Sequence, residues 1–378
     1  SYSVTGVQTC ALPIWSFPSI ARVFPFLLHF GSGILLYLLA LRLGLSWKAA
    51  IFSVALFFAY PNTKNLAWVA AINAPGRVFF SLLCLTSYIS YENSRNLAKG
   101  LFSWSMFIIA LGFHQSAITL PILCILYTAS RRGTPFKNIR PRPCRLDIPA
   151  MLFILSAFFY FIYMAFFREN RYHGVRELDA LPANIVKASV VVFPEWIRGI
   201  ITDGFRGKFG VIGFGSSITI VMGFLGFLAT LTFKKPKTLL FSVPAALDLA
   251  LPVLATGFTQ RYAYFSVCFF SMLLIESMRK HWQKPAFKVG LLLFIGLLAL
   301  DTHYDMNEQR QAGSISNTLL DQARAAREMA GNNRPLIFID PPEVWGTEHD
   351  ISFFNLGFDE ALRMRGIRGP WEIWRTRK

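Results

Sequence analysis

Charge is scarce in this chain. Only 16% of its 378 residues are Asp, Glu, Lys or Arg, whereas a soluble surface carries roughly 25–35%, so much of the exterior is expected to face lipid. Acid is scarcer still: 21 carboxylates against 38 Lys and Arg leave a formal charge of +17. The five cysteines are too few and too scattered for a disulfide framework. Cys84, Cys124 and Cys268 lie inside apolar runs, where a thiol acts mainly as a small hydrophobe. No internal repeat, low-complexity tract, nucleotide-binding, zinc-hydrolase or serine-nucleophile motif is present. The glycines of Gly210–Gly215 lack the Lys-Ser/Thr of a phosphate loop and read as close helix packing. Collagen-like, disordered and disulfide-scaffold classes are excluded, as is a soluble nucleic-acid binder. What is abundant is apolar: 54% hydrophobic residues, 37 of them Phe, with a mean hydropathy of +0.43. This composition predicts an all-α polytopic membrane protein.

A bilayer core of ~30 Å needs about 20 mostly apolar residues per helix. Apolar runs fall at Ile20–Leu41, Trp47–Tyr60, Ala67–Tyr91, Leu97–Phe113, Gln115–Ser130, Pro149–Phe167, Phe209–Phe233, Thr238–Thr256, Tyr262–Met278 and Ala286–Leu300, about ten transmembrane helices in all. Interruptions are expected at Pro75–Gly76 and at Pro244 and Pro252. Residues Leu101–Ser130 read as a shallow hairpin of two crossings that turns at Phe113-His114-Gln115.

Orientation follows from Lys and Arg in the connections. Seventeen lie in alternate connections, from Arg42 and Lys48 through Arg95 and Lys99 to Arg279, Lys280, Lys284 and Lys288. The short connections opposite hold only Lys64, Arg77 and Arg261, so the basic set is expected in the cytoplasm. The outer loop Arg168–Lys208 weakens this asymmetry with seven basic residues; its Ile185–Ile201 stretch reads as an interfacial helix, with Phe193 and Trp196 at headgroup depth.

The ends of the chain differ from its middle. Thr5 to Ile14 (TGVQTCALPI) resembles, codon by codon, the translation of a common sequencing-library adapter. Residues 1–14 are therefore expected to be an artefact, with true sequence from Trp15 and the native start lost. A transmembrane domain over 15–302 and an extracytoplasmic α/β appendage over 303–378 are expected. Ser314 or Ser316 is predicted to cap a helix that ends at Gly331, followed by a short strand Leu336–Ile339 stopped by Asp340-Pro341-Pro342.

Ionisable groups at membrane depth are costly and so mark candidate sites. Arg261-Tyr262-Ala263-Tyr264 combines a guanidinium with phenol hydroxyls, a clamp for a lipid-linked phosphate; an interfacial anchor is the other reading. His29 and Asp248 lie within apolar runs and read either as site residues or as structural hydrogen-bonding groups. The polar breaks Lys64-Asn65, Asn73 to Arg77 and His114-Gln115 all fall toward the outer face, as walls of a polar cavity or as ordinary turns. No metal site is assigned: Asp301, His303 and Asp305 would share a face only on a strand, and a helix exit is expected there. The cluster of Glu343, Glu348, His349 and Asp350 is no better.

Three blocks carry a family likeness. They are Leu27-Leu28-His29 through Leu36–Leu39 to Arg42-Leu43-Gly44; Phe57 to Pro61 followed by Ala67-Trp68-Val69; and Gly112-Phe113-His114-Gln115-Ser116-Ala117-Ile118-Thr119-Leu120-Pro121. With Arg261-Tyr262-Ala263-Tyr264 they resemble the GT-C superfamily of polytopic glycosyltransferases. The protein O-mannosyltransferase-like and tetratricopeptide-containing transmembrane members are the most similar. The resemblance spans about Arg22–Ser130 and the late helices. It departs where Tyr60 replaces the usual His, Asn65 stands near the expected acid, and His114-Gln115 replaces Lys-Glu. It implies transfer of a sugar from a polyprenyl phosphate at the outer face of a bacterial cytoplasmic membrane. The donor would be a polyprenyl-phosphate sugar, with no other cofactor, an unspecified acceptor, and membrane lipid as partner. Arg261, Tyr262 and Tyr264 would hold the lipid phosphate; His29, Lys64, Trp68, Asn73, Arg77, His114, Gln115 and Asp248 would line the cavity. The family's catalytic acid, which deprotonates the acceptor as phosphate departs, would fall before Trp15, so this chain would bind without turnover. A transporter or flippase, a polymerase or ligase of lipid-linked saccharides, and a non-catalytic membrane protein remain as alternatives.

Overall fold

The computed structural model describes residues 18–60, 72–131, 148–166, 201, 241–246, 263–331, 333–339, 344–345, 351–352, 362, 367 and 369–374. Helix accounts for 87% of them. The elements are α1 (Pro18–Arg42), α2 (Trp47–Ala59), α3 (Asn73–Ser94), α4 (Leu97–Phe113), a 3-10 turn (Gln115–Thr119), α5 (Leu120–Arg131), α6 (Ile148–Phe166), α7 (Tyr264–Ser277), a second 3-10 turn (Arg279–His281), α8 (Pro285–Ala330), β1 (Leu336–Ile339), β2 (Val344–Trp345), β3 (Ile351–Ser352) and β4 (Trp371–Trp374). The stretches Val23–Arg42 and Pro285–Tyr304 are long and apolar enough to cross a membrane, and five further helices are apolar but shorter. The expected loop Arg168–Lys208 apart from Ile201, the run Phe209–Phe233 with Gly210–Gly215, and Pro252 lie outside the described residues, while 241–246 is helical through Pro244.

The chain divides into two units, one of them Phe17–Thr302. Within it, side-chain contacts fix the direction of each helix. Gly31 faces Phe79, and Arg42 bonds Thr86 and Ser90, so α1 and α3 run parallel. Gly76 lies against Phe113, Cys84 against Ser103 and Tyr91 against Gly100, so α4 returns antiparallel to α3. Arg77 meets Ser116 and Tyr88 meets Thr128, so α5 runs back along α3; the reversal expected at His114 is there. Contacts of His29 with Phe57 and Phe58, of Phe57 with Tyr264, and of Phe52 with Trp282 make α2 antiparallel to α1 and α7. The Thr302 hydroxyl donates to the Ala59 carbonyl at 3.0 Å, which aligns α8 with α2. Consequently the exposed Arg42, Lys48, Arg95, Lys99, Arg279, Lys284 and Lys288 share one end of the bundle.

Local chemistry sets the boundaries. Ser46 and Asn96 cap α2 and α4 by accepting from Ala49 and Ala98 backbone N–H groups. Arg95 adopts a left-handed conformation (φ 52°) that ends α3, an arrangement more usual for Gly. The interruption expected at Pro75–Gly76 is instead the first turn of α3, where proline's absent N–H has no intrahelical partner to lose. Close approach needs glycine at position 100: a Cβ there would lie 2.5 Å from the Pro149 Cγ and 3.1 Å from Tyr91. A proline ring cannot swing aside, so Gly100→Leu is expected to wedge α4 from α6 at a cost of about 1–3 kcal/mol. At Gly112 a Cβ meets nothing within 4 Å, and Gly112→Ala should be neutral or stabilising by about 0.5–1 kcal/mol. Thermal unfolding of the two variants in detergent separates them.

The second unit contains His303–Lys378. β1 and β4 pair in parallel with Leu336 opposite Trp371 and Ile339 opposite Trp374, while β2 and β3 pair antiparallel. Leu320 and Ala323 pack with Leu362 and Ile367, with Phe338 and Trp371 alongside. The helix predicted to start at Ser314 or Ser316 has no separate start: α8 runs unbroken from Pro285 to Ala330. Extending a formed helix needs no new nucleus, and residues 303–313 contain no proline to stop it. Its end is at Gly331, with φ 72° and its N–H on the Arg327 carbonyl. Arg327, 5% exposed, donates to the carbonyls of Gly331, Arg334 and Pro370.

Candidate functional site

Two buried polar clusters lie toward the end of the bundle opposite the basic collar. In the first, Arg77 projects from the first turns of α3 and is 2% exposed. Its guanidinium bonds the Ser116 hydroxyl and sits 5.6 Å over the Phe265 ring. Ser116 in turn contacts the His114 Nδ1, at 2.9 Å from its hydroxyl and 3.2 Å from its backbone N–H. The break between α4 and α5 creates this arrangement: His114, in extended conformation, caps the 3-10 turn and brings Ser116 beneath Arg77.

In the second cluster the Tyr264 hydroxyl bonds the His29 Nδ1. His29 is enclosed by the rings of Phe57 at 4.8 Å, Phe58 at 5.0 Å and Tyr264 at 5.5 Å. Tyr264 and Phe265 are consecutive on α7, so the two clusters are joined through that helix.

Asn73, Arg77 and Ser81 recur every four residues along one face of α3. Among the described residues, the Asn73 Oδ1 and the Ser81 hydroxyl are buried without a hydrogen-bond partner, and buried polar groups in this state are uncommon. No acid lies in the first turn of α3, and its N-cap, Ile72, offers no side-chain acceptor. Helix geometry and the Arg77 charge therefore give this corner a positive potential.

The structure thus brings together four of the residues singled out by sequence: His29 with Tyr264, and Arg77 and His114 on Ser116; Asn73 lies one turn before Arg77 on α3. Gln115 is in the 3-10 turn between them. Tyr264, expected beside the lipid phosphate, is turned inward onto His29. Arg261, Tyr262, Lys64, Trp68 and Asp248 lie outside the described residues. Ser116 and Phe57, named only within the blocks of the family likeness, and Phe265 were not singled out as site residues. Ser116 had a visible signal, a small hydroxyl directly after His114-Gln115, whereas the aromatic partners look like any other membrane Phe. Asp301, His303 and Asp305 lie on the continuous α8. No known protein family, curated protein or solved structure matches the chain.

Proposed function

We propose that the chain is a multi-pass membrane protein of the GT-C glycosyltransferase type, whose helical body grips the phosphate head of a polyprenyl-linked sugar at the outer membrane face. The observation that carries this reading is the buried Arg77, with Ser116 and His114 beside it, in the acid-free first turns of α3. A guanidinium backed by a helix N-terminus suits a phosphate. The buried Asn73 and Ser81 oxygens on the same face have no donor among the described residues, and sugar hydroxyls are donors. Arg261 and Tyr262, just upstream of α7 in the sequence, complete the proposed clamp. Alternation of helix direction, with exposed Lys and Arg gathered at one end, supports the multi-pass reading and a cytoplasmic location for that end.

The test is binding of undecaprenyl phosphate to the full chain in lipid nanodiscs, with neutral undecaprenol as comparison. Saturable binding at least about tenfold tighter for the phosphate is expected; equal affinity for the two overturns the reading.

A further inference from the structure

The first turns of α8 carry cations where a helix prefers anions. Lys284 precedes Pro285, Lys288 follows one turn later, and no acid lies in the first turn. Cations at a helix N-terminus are repelled by the helix dipole. Both lysines are exposed and, among the described residues, have no carboxylate partner. They stand at the N-terminal end of the apolar face of α8, with Lys288 one turn before Leu292.

That face, made of Val289, Leu292, Leu293, Gly296, Leu297 and Leu300, forms a shallow groove of about 340 Å³. Leu292 is 57% exposed, Leu293 64% and Leu300 66%. At Gly296 the groove has a notch, where an added Cβ meets no atom within 4 Å. From Val289 to Leu300 the groove is about 17 Å long, close to the ~15 Å of one leaflet of a bilayer core. At its charged end Trp282 packs edge-on to Phe52 at 4.9 Å, and Lys48 lies one turn before Phe52 on α2. Tryptophan beside lysine is the usual dress of a headgroup layer.

We propose that this face of α8 is a docking site for an acidic phospholipid, with its phosphate-bearing head on Lys284 and Lys288 at the helix start and one acyl chain along the groove. Charge at one end and a leaflet's length of apolar surface at the other match an anionic lipid, and a nucleic acid would leave the apolar length unused. The proposal rests on the membrane reading above but not on the carrier site, which lies at the opposite end of the bundle.

The experiment is thermal unfolding of the full chain in dodecyl maltoside, titrated with dioctanoyl phosphatidylglycerol or dioctanoyl phosphatidylcholine. Phosphatidylglycerol is expected to raise the unfolding temperature at concentrations at least about tenfold below those phosphatidylcholine needs. The double variant Lys284→Gln, Lys288→Gln should lose that preference. Gly296→Phe, which has room to fold, should weaken the response to both lipids by blocking the groove. Equal shifts from the two lipids, an unchanged preference in the double variant, or an equal shift from a short heparin fragment would overturn the proposal. Undecaprenyl phosphate binding should survive the double variant, so failure here is distinguishable from failure of the carrier reading.

Discussion

Arg77→Gln is expected to reduce undecaprenyl phosphate binding by about 30-fold or more while the protein still purifies as a folded species. Removing one member of a desolvated charge pair costs about 2–5 kcal/mol, and 1.4 kcal/mol is tenfold in affinity. Glutamine keeps a donor for Ser116, the hydroxyl that Arg77 bonds, but loses the charge. The measurement is paired: affinity in nanodiscs and unfolding temperature in detergent. Lost affinity with a retained unfolding temperature assigns Arg77 to the ligand. A lowered unfolding temperature with unchanged affinity assigns it to helix packing alone.

Arg327→Met should unfold the C-terminal unit and leave the helices of Phe17–Thr302 intact. Arg327 donates to the carbonyls of Gly331, Arg334 and Pro370 at 2.6–3.1 Å, tying the end of α8 to the starts of β1 and β4. Hydrogen bonds from charged donors contribute about 1.5–3 kcal/mol each. A unit of about 75 residues seldom holds more than about 3–5 kcal/mol in total, so losing these bonds exceeds its reserve. Limited proteolysis with mass spectrometry reads the outcome as new cleavage sites confined to the segment after Gly331. Wild-type resistance there would mean that the small core of Leu320, Ala323, Leu362 and Ile367 holds the unit without the clamp.

Much of the helical layout was legible because apolar runs and their interruptions are one-dimensional signals. The break at His114 and the stop at Gly331 could be read from polar tip residues and from glycine. The first turn of α3 was misread, because Pro75-Gly76 signals a break equally well whether a helix is ending or beginning. The start predicted at Ser314 failed for a related reason: a capping residue acts only where no helix already arrives from upstream. Of the site, the buried polar residues could be picked out singly, but their pairing could not. His29 and Tyr264 are 235 positions apart, and nothing in either neighbourhood names the other. Ser116 carried a signal of its own, a small hydroxyl directly after the polar tip His114-Gln115, but its partner Arg77 is 39 positions away.

Only Arg95 and Asn96 separate α3 from α4. Arg95 is held there by its N–H on the Tyr91 carbonyl and by both Glu92 carboxylate oxygens, at 3.2 and 3.0 Å. So short a link brings its two helices together with little loss of chain entropy. The pairing of α3 with α4 is therefore cheap to form, and lengthening the link is expected to slow assembly more than it weakens the finished protein.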